Sequence, residues 1–215
     1  MKYELVLFDM DGTILDTLED LTASLNAALA EAGFPARTCD EVRSFVGNGL
    51  RRLIERGVPE NTPEDVVDRV FDYHCAYYGA HCADHTRPYA GIPELLERLK
   101  GRGVRLAVVS NKADPAVQEL SKKYFGDLFD LSVGERPGVA RKPAPDSVLC
   151  ALKTLGSDRA NAIYIGDSEV DVATAKNAGL PCIAVDWGFR SREALVAAGA
   201  SIVVSSPAEL EKLLL

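Results

Sequence analysis

Two acidic residues follow directly on a short apolar stretch near the start of the chain. Leu5–Phe8 has the length and composition of a buried parallel strand, and Asp9-Met10-Asp11-Gly12 comes immediately after it. Ligands of open α/β sheets bind at the carboxyl edge of the strands, where two carboxylates can hold a divalent cation while one attacks an electrophile. An Asp-x-Asp-Gly surface turn is the alternative, since Asp and Gly are ordinary turn residues. The remaining polar residues must decide between these interpretations.

A second polar segment follows the apolar stretch 104–109. Ser110, Asn111 and Lys112 present a hydroxyl, an amide and backbone N–H groups where the next helix is predicted to begin. Such a helix start could cradle a phosphate group. It could also be an ordinary helix N-cap, because that position favours the same residue types.

A lysine in a rigid loop is the third candidate. Lys142 stands directly before a Pro-x-Pro segment, which restricts the backbone and excludes helix until Asp146. Its ammonium could therefore be held over the site, where it would offset the charge of phosphate and carboxylates. The alternative is a solvated loop lysine.

Two further aspartates follow the apolar stretch 162–165. Asp167 ends that stretch, and Asp171 lies one helical turn later on the same face, so both carboxylates can point at one cation. The helix dipole also favours acidic residues at this position, with no further function. However, four strand ends together carry the groups that a metal-bound phosphoryl group requires, and this combination favours a catalytic site.

Apolar periodicity divides the rest of the chain into two kinds of segment. From about residue 16 to 83 the spacing predicts helices, whereas from Arg87 onward apolar strands alternate with helices. The alternating pattern is typical of a parallel sheet with helices on both faces. The sequence therefore predicts an α/β fold, a doubly wound parallel sheet of residues 1–15 and 87–215, with a small all-helical domain inserted at 16–86.

Composition limits the class of partner. With 47% hydrophobic residues the chain can bury a core, and its formal charge of -8 argues against nucleic acid or an anionic membrane surface as partner. The first residues resemble neither a signal peptide nor a membrane span. Five scattered cysteines without a Cys-x-x-Cys pair are typical of reduced thiols. We expect a cytoplasmic protein, monomeric or homodimeric.

One cluster of potential metal ligands lies outside these segments. It comprises His74, Cys75, His81, Cys82 and His85. On one continuous helix the three histidines would share a face, as zinc ligands can. Gly79 interrupts the segment, which favours solvated or half-buried side chains at a helix end.

In order and spacing, the four polar segments resemble the motifs of the haloacid dehalogenase superfamily of phosphohydrolases. The matching segments are Asp9-Met10-Asp11-Gly12-Thr13, Val109-Ser110-Asn111, Lys142-Pro143, and Gly166-Asp167 with Asp171. The helical block is similar to the small helical cap of that superfamily. Two weaker signals, Phe45-Val46-Gly47-Asn48-Gly49 and Val185-Asp186-Trp187-Gly188-Phe189, resemble phosphoglycolate phosphatases and their close relatives.

The resemblance implies a role for each motif residue. Asp9 would be the nucleophile that forms an aspartyl-phosphate, and Asp11 would be first the general acid and then the general base. Mg2+ would be held by Asp9, the backbone carbonyl of Asp11 and Asp167. Asp171 would order the outer shell of the metal or Lys142, and Lys142 would offset charge.

The cap is expected to select the substrate by closing over the site. Gly47-Asn48-Gly49 predicts a tight loop with exposed backbone groups, and Arg43 one turn earlier is a possible cation for a substrate carboxylate. Alternatively, the glycines only separate two helices and Arg43 is solvated. The predicted substrate-binding residues are Gly12, Ser110, Asn111, Arg43 and Asn48.

The main functional hypothesis is a Mg2+-dependent phosphatase for a small phosphorylated metabolite similar to phosphoglycolate. A sugar-phosphate mutase on the same scaffold is an alternative, since it would use the same two aspartates. A non-catalytic phosphate-responsive binding module is another, although no catalytic position is substituted.

Overall fold

The computed structural model describes residues 2–215, which divide into two compact units. One unit contains the chain up to Leu15 together with Pro88–Leu215, and the other contains Asp16–Arg87. The first is a layered α/β unit and the second is helical. The doubly wound α/β fold with a helical insertion is thereby confirmed.

The strands of the described residues are, in chain order, β1 (Leu5–Phe8), β2 (Leu15–Asp16), β3 (Arg87–Pro88), β4 (Arg105–Ala113), β5 (Leu131–Glu135), β6 (Ala162–Gly166), β7 (Cys182–Val185) and β8 (Val203–Val204). The helices are α1 (Leu18–Glu31), α2 (Cys39–Phe45), α3 (Gly49–Gly57), α4 (Glu64–His81), α5 (Ile92–Gly101), α6 (Asp114–Phe125), α7 (Asp146–Thr154), α8 (Glu169–Ala178), α9 (Arg192–Ala197) and α10 (Pro207–Leu214). A 3-10 turn spans Arg159–Asn161.

The order of the strands brings the polar segments together. Six strands of the described residues form one parallel sheet in the order β5-β4-β1-β6-β7-β8, and β2 pairs with β3. Leu5 of β1 is in register with Arg105 of β4 on one side and with Ala162 of β6 on the other. From β1 the strand order runs through β4 and β5 to one edge of the sheet, and through β6, β7 and β8 to the other. This reversal is a topological switch point, and the carboxyl ends of β4, β1 and β6 lie beside it.

The central strands are buried on both faces. Leu5 and Leu7 of β1 belong to a cluster packed with Val148 of α7 and Ala175 of α8. Val6 and Phe8 alternate with them and face the opposite side, where the rings of Phe8 and Phe129 make a T-shaped contact. Burial on both sides explains why these strands are continuously apolar rather than alternating with polar residues.

The second unit consists of α1 to α4. Helix α1 packs against α4 and also contacts α2 and α3. By residue type Asp40 can cap α2, but the N-cap is Thr38, which forms a capping box with Glu41. No helix of the described residues is long and apolar enough to cross a membrane.

A buried acid ties the end of this unit to its first helix. The carboxylate of Asp20 in α1 is 1% exposed. It accepts hydrogen bonds from the backbone N–H of His85 at 2.9 Å and of Thr86 at 2.8 Å. The exposed guanidinium of Arg87 adds an ion pair to Asp16 at 3.1 Å.

Candidate active site

Three carboxylates converge where β1 and β6 end. Asp9 is the first residue after β1, Asp167 the first after β6, and Asp171 lies in the first turn of α8. One oxygen of each lies within 4.8 Å of one oxygen of the other two. Asp167 and Asp171 are buried, and Asp9 is only 9% exposed. The predicted pair of strand ends therefore forms one acidic cluster.

The ammonium of Lys142 lies inside this cluster. Its Nζ is 2.9 Å from Oδ1 of Asp9 and 2.8 Å from Oδ1 of Asp171. It donates a third hydrogen bond to the hydroxyl of Tyr164 at 3.0 Å. An ammonium has three N–H donors, so these three acceptors satisfy it completely.

Tyr164 completes the coordination of that ammonium. It lies in the middle of β6 and is fully buried. Since its hydroxyl accepts from Lys142, its own hydrogen can be donated to the carbonyl of Val109 at 2.9 Å. Tyr164 therefore links the lysine to the backbone of β4.

The backbone of Lys142 is held by Asn111. The amide nitrogen of Asn111 donates to the carbonyl of Lys142 at 3.0 Å, and its amide oxygen accepts from the Lys142 N–H at 2.8 Å. Both groups of this side chain thus contact the lysine loop, where the Lys142–Pro143 peptide bond is cis. The end of β4 therefore positions the lysine, a contact that the sequence did not predict.

Asp167 is oriented by two neutral donors. Its Oδ1 accepts from the hydroxyl of Thr13 at 3.2 Å, and its Oδ2 accepts from the backbone N–H of Phe189 at 2.7 Å. Gly12 stands against the same carboxylate with a φ of +82°, and a Cβ there would overlap with it. Only glycine therefore satisfies both the left-handed turn and the close approach of Asp167.

Asp171 is fixed by the start of its own helix. Its Oδ2 accepts from the N–H of Ser168 at 3.1 Å and from its hydroxyl at 2.6 Å, which forms a capping box. Its Oδ1 remains directed at Lys142. A Cβ on Gly166 would overlap with the Asp171 side chain, so this glycine permits the close approach. We infer that Asp171 positions Lys142 through Oδ1.

The second aspartate of the opening turn has a different cation. Oδ1 of Asp11 lies 2.9 Å from Nζ of Lys112, at the end of β4. The side chain of Lys112 is 2% exposed and that of Asp11 is 15% exposed. Ser110, also buried, accepts a hydrogen bond from the Lys112 N–H at 3.3 Å. The opening turn and the end of β4 are thus joined by an ion pair.

Burial and mutual repulsion shift the pKa values of this cluster. Burial raises the pKa of Asp9 to about 7; the Lys142 ammonium lowers it, while Asp171 and Asp11 raise it. Burial, reinforced by Asp171 and Asp9, also raises the pKa of Asp167 well above its ordinary value. Burial opposes the charge on Lys142, but Asp171 and Asp9 outweigh it, so its pKa is raised well above normal.

The donor set fits a hard divalent cation. Three buried carboxylates converge here, and the Lys142 ammonium contacts two of them, Asp9 and Asp171. A buried carboxylate without a cation is costly, and an all-oxygen donor set suits Mg2+ or a similar ion. These three residues can therefore hold a metal ion.

The other predicted ligand cluster does not come together. Within the described chain, the acidic cluster is the only group of at least three histidine, cysteine, aspartate or glutamate side chains with metal-ligand spacing. His74 is buried and stacks on Tyr78, whereas His81 stacks on Tyr77 and pairs with Asp84 at 2.7 Å. The expected interruption at Gly79 is wrong, because α4 continues through it to His81, and His74 is fully buried rather than half-buried.

The predicted cap residues lie in the helical unit. Arg43 is exposed in the last turn of α2, and Asn48 is the half-buried N-cap residue of α3. Gly47 and Gly49 have positive φ values of 119° and 81° and break the chain between the two helices. The tight loop is present, and its contact with substrate stays a prediction.

Comparison with known families identifies the fold. Residues 6–185 match the profile of the family described as haloacid dehalogenase-like hydrolase. The chain belongs to this family. The crystal structure of a candidate phosphoglycolate phosphatase from Lactobacillus delbrueckii subsp. bulgaricus superposes with a TM-score of 0.96. The two sequences are 39% identical, and the match covers 100% of this chain and 99% of that one.

Two enzymes of known name are similar over most of their length. A phosphoglycolate phosphatase of Aquifex aeolicus is 35% identical over 214 residues, which cover 97% of this chain and 95% of that enzyme. A phosphoglycolate phosphatase of Caulobacter vibrioides is 34% identical over 215 residues, which cover 96% and 89%. The similarity to this hydrolase family therefore extends through both units.

Sequence reasoning missed several residues of the site. The apolar pattern of 162–165 does not distinguish Tyr164 from its neighbours, although a tyrosine in a buried aliphatic strand generally needs a hydrogen-bond partner. The segment that contains Phe189 carries no sequence signal for a backbone N–H that contacts Asp167. The pairing of Lys112 with Asp11 could not be foreseen, because it depends on which strands are neighbours.

Proposed function

We propose that this chain is a Mg2+-dependent phosphatase that hydrolyses a small phosphorylated metabolite through an aspartyl-phosphate on Asp9. The observation that carries the proposal is the position of Asp9. It ends the central strand, and its Oδ1 contacts both the Lys142 ammonium and the Met10 N–H, at 2.9 and 2.7 Å. This carboxylate is thus oriented at the point where a ligand of an α/β sheet binds.

The proposed reaction has two steps. A carboxylate oxygen of Asp9 attacks phosphorus, the ester P–O bond breaks, and Asp11 gives a proton to the leaving alkoxide. Asp11 then takes a proton from water, the hydroxide attacks phosphorus, and the bond to Asp9 breaks. Phosphate leaves, and both aspartates return to their starting states.

Positive charge is required because an anionic nucleophile must approach an anionic phosphoryl group. Lys142, held against Asp9 and Asp171, supplies part of it. Mg2+, held by Asp9, the backbone carbonyl of Asp11 and Asp167, would supply the rest when bound. We propose that Gly12, Ser110 and Asn111 border the phosphate site at the ends of β1 and β4.

Phosphoglycolate is the substrate that we propose first, because the Aquifex and Caulobacter relatives are named for it. Residues 1–15 and 87–215 would form the catalytic core and residues 16–86 the cap. Arg43 and Asn48 would bind the substrate carboxylate. The proposal places this enzyme in the cytoplasm, as a monomer or homodimer.

Phosphate release from a panel of phosphate monoesters tests the function. The panel contains phosphoglycolate, sugar phosphates and p-nitrophenyl phosphate, assayed with Mg2+ and with or without a sugar bisphosphate. We expect release from phosphoglycolate without the bisphosphate. A bisphosphate requirement with an isomerised sugar phosphate as product would favour the mutase, and release from no ester would favour a binding module.

A further inference from the structure

Lys112 is a buried cation to which the proposed reaction assigns no role. Its side chain is 2% exposed, and its Nζ lies 2.9 Å from Oδ1 of Asp11. Burying an ammonium is costly unless a specific partner compensates for the lost hydration. The partner that Lys112 reaches is the carboxyl group that exchanges protons in the proposed reaction.

The backbone around Lys112 is shaped to direct it there. The pairing of β4 with β5 shifts register between Val109 and Ala113, so the regular alternation of side chains is interrupted just before the strand ends. Such bulges re-aim side chains next to active sites. Gly134 of β5 lies so close that a Cβ would overlap with the Lys112 carbonyl, and its N–H donates to Asp114 at 2.7 Å.

We propose that Lys112 is a positioning residue that holds the Asp11 carboxyl group by Oδ1 and leaves Oδ2 as the oxygen that exchanges the proton. This inference rests on the proposed function, in which Asp11 is the acid and then the base. In a protonated carboxyl group the carbonyl oxygen is a better hydrogen-bond acceptor than the hydroxyl oxygen, so the contact with Lys112 favours Oδ1 as the carbonyl oxygen. The exchangeable proton is therefore on Oδ2.

Each half of the reaction uses this arrangement. In the first step, the Oδ2–H bond of Asp11 breaks as the proton passes to the leaving alkoxide, while Lys112 holds Oδ1. In the second step, Oδ2 takes one proton from water as the resulting hydroxide attacks the aspartyl-phosphate. Without Lys112 the carboxyl group could rotate or carry its proton on Oδ1, and proton transfer would be less frequent.

Leaving groups of different basicity give a readout that a merely structural role would not change. An alkoxide needs the proton of Asp11 to depart, whereas p-nitrophenolate departs without it. The variant Lys112→Met removes the N–H donors and nearly preserves the length of the side chain. The rate measured is the pre-steady-state release of alcohol or p-nitrophenolate, which reports the first chemical step alone.

We expect Lys112→Met to slow alcohol release from ethyl phosphate and from phosphoglycolate equally, by about 10- to 100-fold. Release of p-nitrophenolate should slow by less than about threefold. The control Lys122→Met removes an exposed lysine of α6 that pairs with Asp127, and it should change neither rate. If Lys112→Met does not fold, as judged by circular dichroism, the same ratio of rates is measured in Lys112→Leu, which also lacks an N–H donor.

Two results would overturn the assignment. Equal slowing for all three esters would indicate a structural role, and slowing confined to phosphoglycolate would indicate direct contact with the substrate carboxylate. Asp11→Asn separates this proposal from the proposed function. The leaving-group dependence is a larger slowing for alcohol release than for p-nitrophenolate release. If Asp11→Asn shows it and Lys112→Met does not, only the proposed role of Lys112 is wrong. If Asp11→Asn does not show it, the proposed acid role of Asp11 is wrong as well.

The double variant Asp11→Asn, Lys112→Met is the last arm of the test. If Lys112 acts through Asp11, its removal should add no leaving-group dependence in the Asp11→Asn background. A further change in the ratio of rates in that background would contradict the proposal.

Discussion

Charged side chains are buried and share partners at the carboxyl end of the sheet, whereas on the helices of Asp16–Arg87 they mostly form exposed pairs. Lys142 contacts two carboxylates and a hydroxyl with a side chain only 3% exposed. Arg69 of α4 pairs with Asp65 across one helical turn, and both side chains are about 70% exposed. The two regions therefore place the same residue types under different constraints.

The difference follows from the cost of desolvation. A buried charge must be compensated by its neighbours, so removing one partner of a buried pair leaves an uncompensated charge and is strongly destabilising. An exposed pair returns to water at almost no cost. Substitutions at the end of the sheet should therefore have large and specific effects, and substitutions of exposed pairs on the helices should have small ones.

The largest expected effect is that of Asp9→Asn. We expect turnover to fall by at least about 10³-fold, because an amide cannot form the aspartyl-phosphate. The fold should persist, since the substitution removes one of three crowded carboxylates and keeps an oxygen that can accept from Lys142. Phosphate release and circular dichroism check both statements. Turnover near that of the unmodified enzyme would exclude the covalent mechanism.

Removal of divalent cations should have a comparable effect. Dialysis against a chelator is expected to abolish phosphate release, and Mg2+ should restore it. Because an ion that binds the folded state stabilises it, Mg2+ should also raise the melting temperature, and Asp167→Asn should reduce that rise. Full turnover after exhaustive chelation would contradict the metal requirement.

A smaller loss is expected for Tyr164→Phe. The substitution leaves Lys142 with two of its three acceptors and removes the donor to the Val109 carbonyl. We expect kcat to fall about tenfold and the free energy of unfolding to fall by about 1–3 kcal/mol. Tyr73→Phe, which alters a partly exposed hydroxyl in α4, is the matched control. Unchanged kcat in Tyr164→Phe would show that its hydrogen bond does not position the lysine.

The predicted substrate contacts of the helical unit should affect specificity alone. Arg43→Ala and Asn48→Ala are each expected to lower kcat/KM for phosphoglycolate by about tenfold and to spare p-nitrophenyl phosphate. Arg52→Ala, which removes another exposed arginine of the same unit, should leave both substrates unaffected. An equal loss of kcat/KM for both substrates, or no loss for either, would mean that this loop does not determine substrate specificity.

The smallest effects concern stability within the helical unit, where one acid is buried. Asp20→Ala is expected to lower the free energy of unfolding by about 1–3 kcal/mol, because the backbone N–H groups of His85 and Thr86 lose this acceptor. Arg69→Ala should cost less than about 0.5 kcal/mol. Denaturant unfolding compares the two variants. Similar losses in both would contradict the conclusion that burial, rather than charge alone, sets the effect.

Sequence reasoning predicted the strand ends because each ends an apolar stretch with a polar residue. Asp9 and Asp167 are recognisable since a buried parallel strand must be apolar throughout, so the first carboxylate after it marks the edge of the sheet. Asp171 follows from helical periodicity alone. The structure brings all three together with Lys142, as the resemblance to the family implied.

The helical unit illustrates what periodicity leaves open. Spacing of apolar residues predicts where α1 and α4 lie, since each must bury one face. Details such as the cap of α2 depend on competition between neighbouring residues, and Thr38 prevails over Asp40 because Glu41 can complete a capping box. The burial of Asp20 depends on its contact with His85, which lies 65 positions later in the chain.

By itself, the sequence determined the α/β class, the order of the elements and the carboxylates of the site, because burial and periodicity are local properties of the chain. Only the tertiary structure decided that Lys112 meets Asp11 across 101 positions, and that Tyr164 and Asn111 hold Lys142. Those contacts exist because β4, β1 and β6 are neighbours. Strand order is set by how the whole sheet packs, and no spacing within a single segment records it.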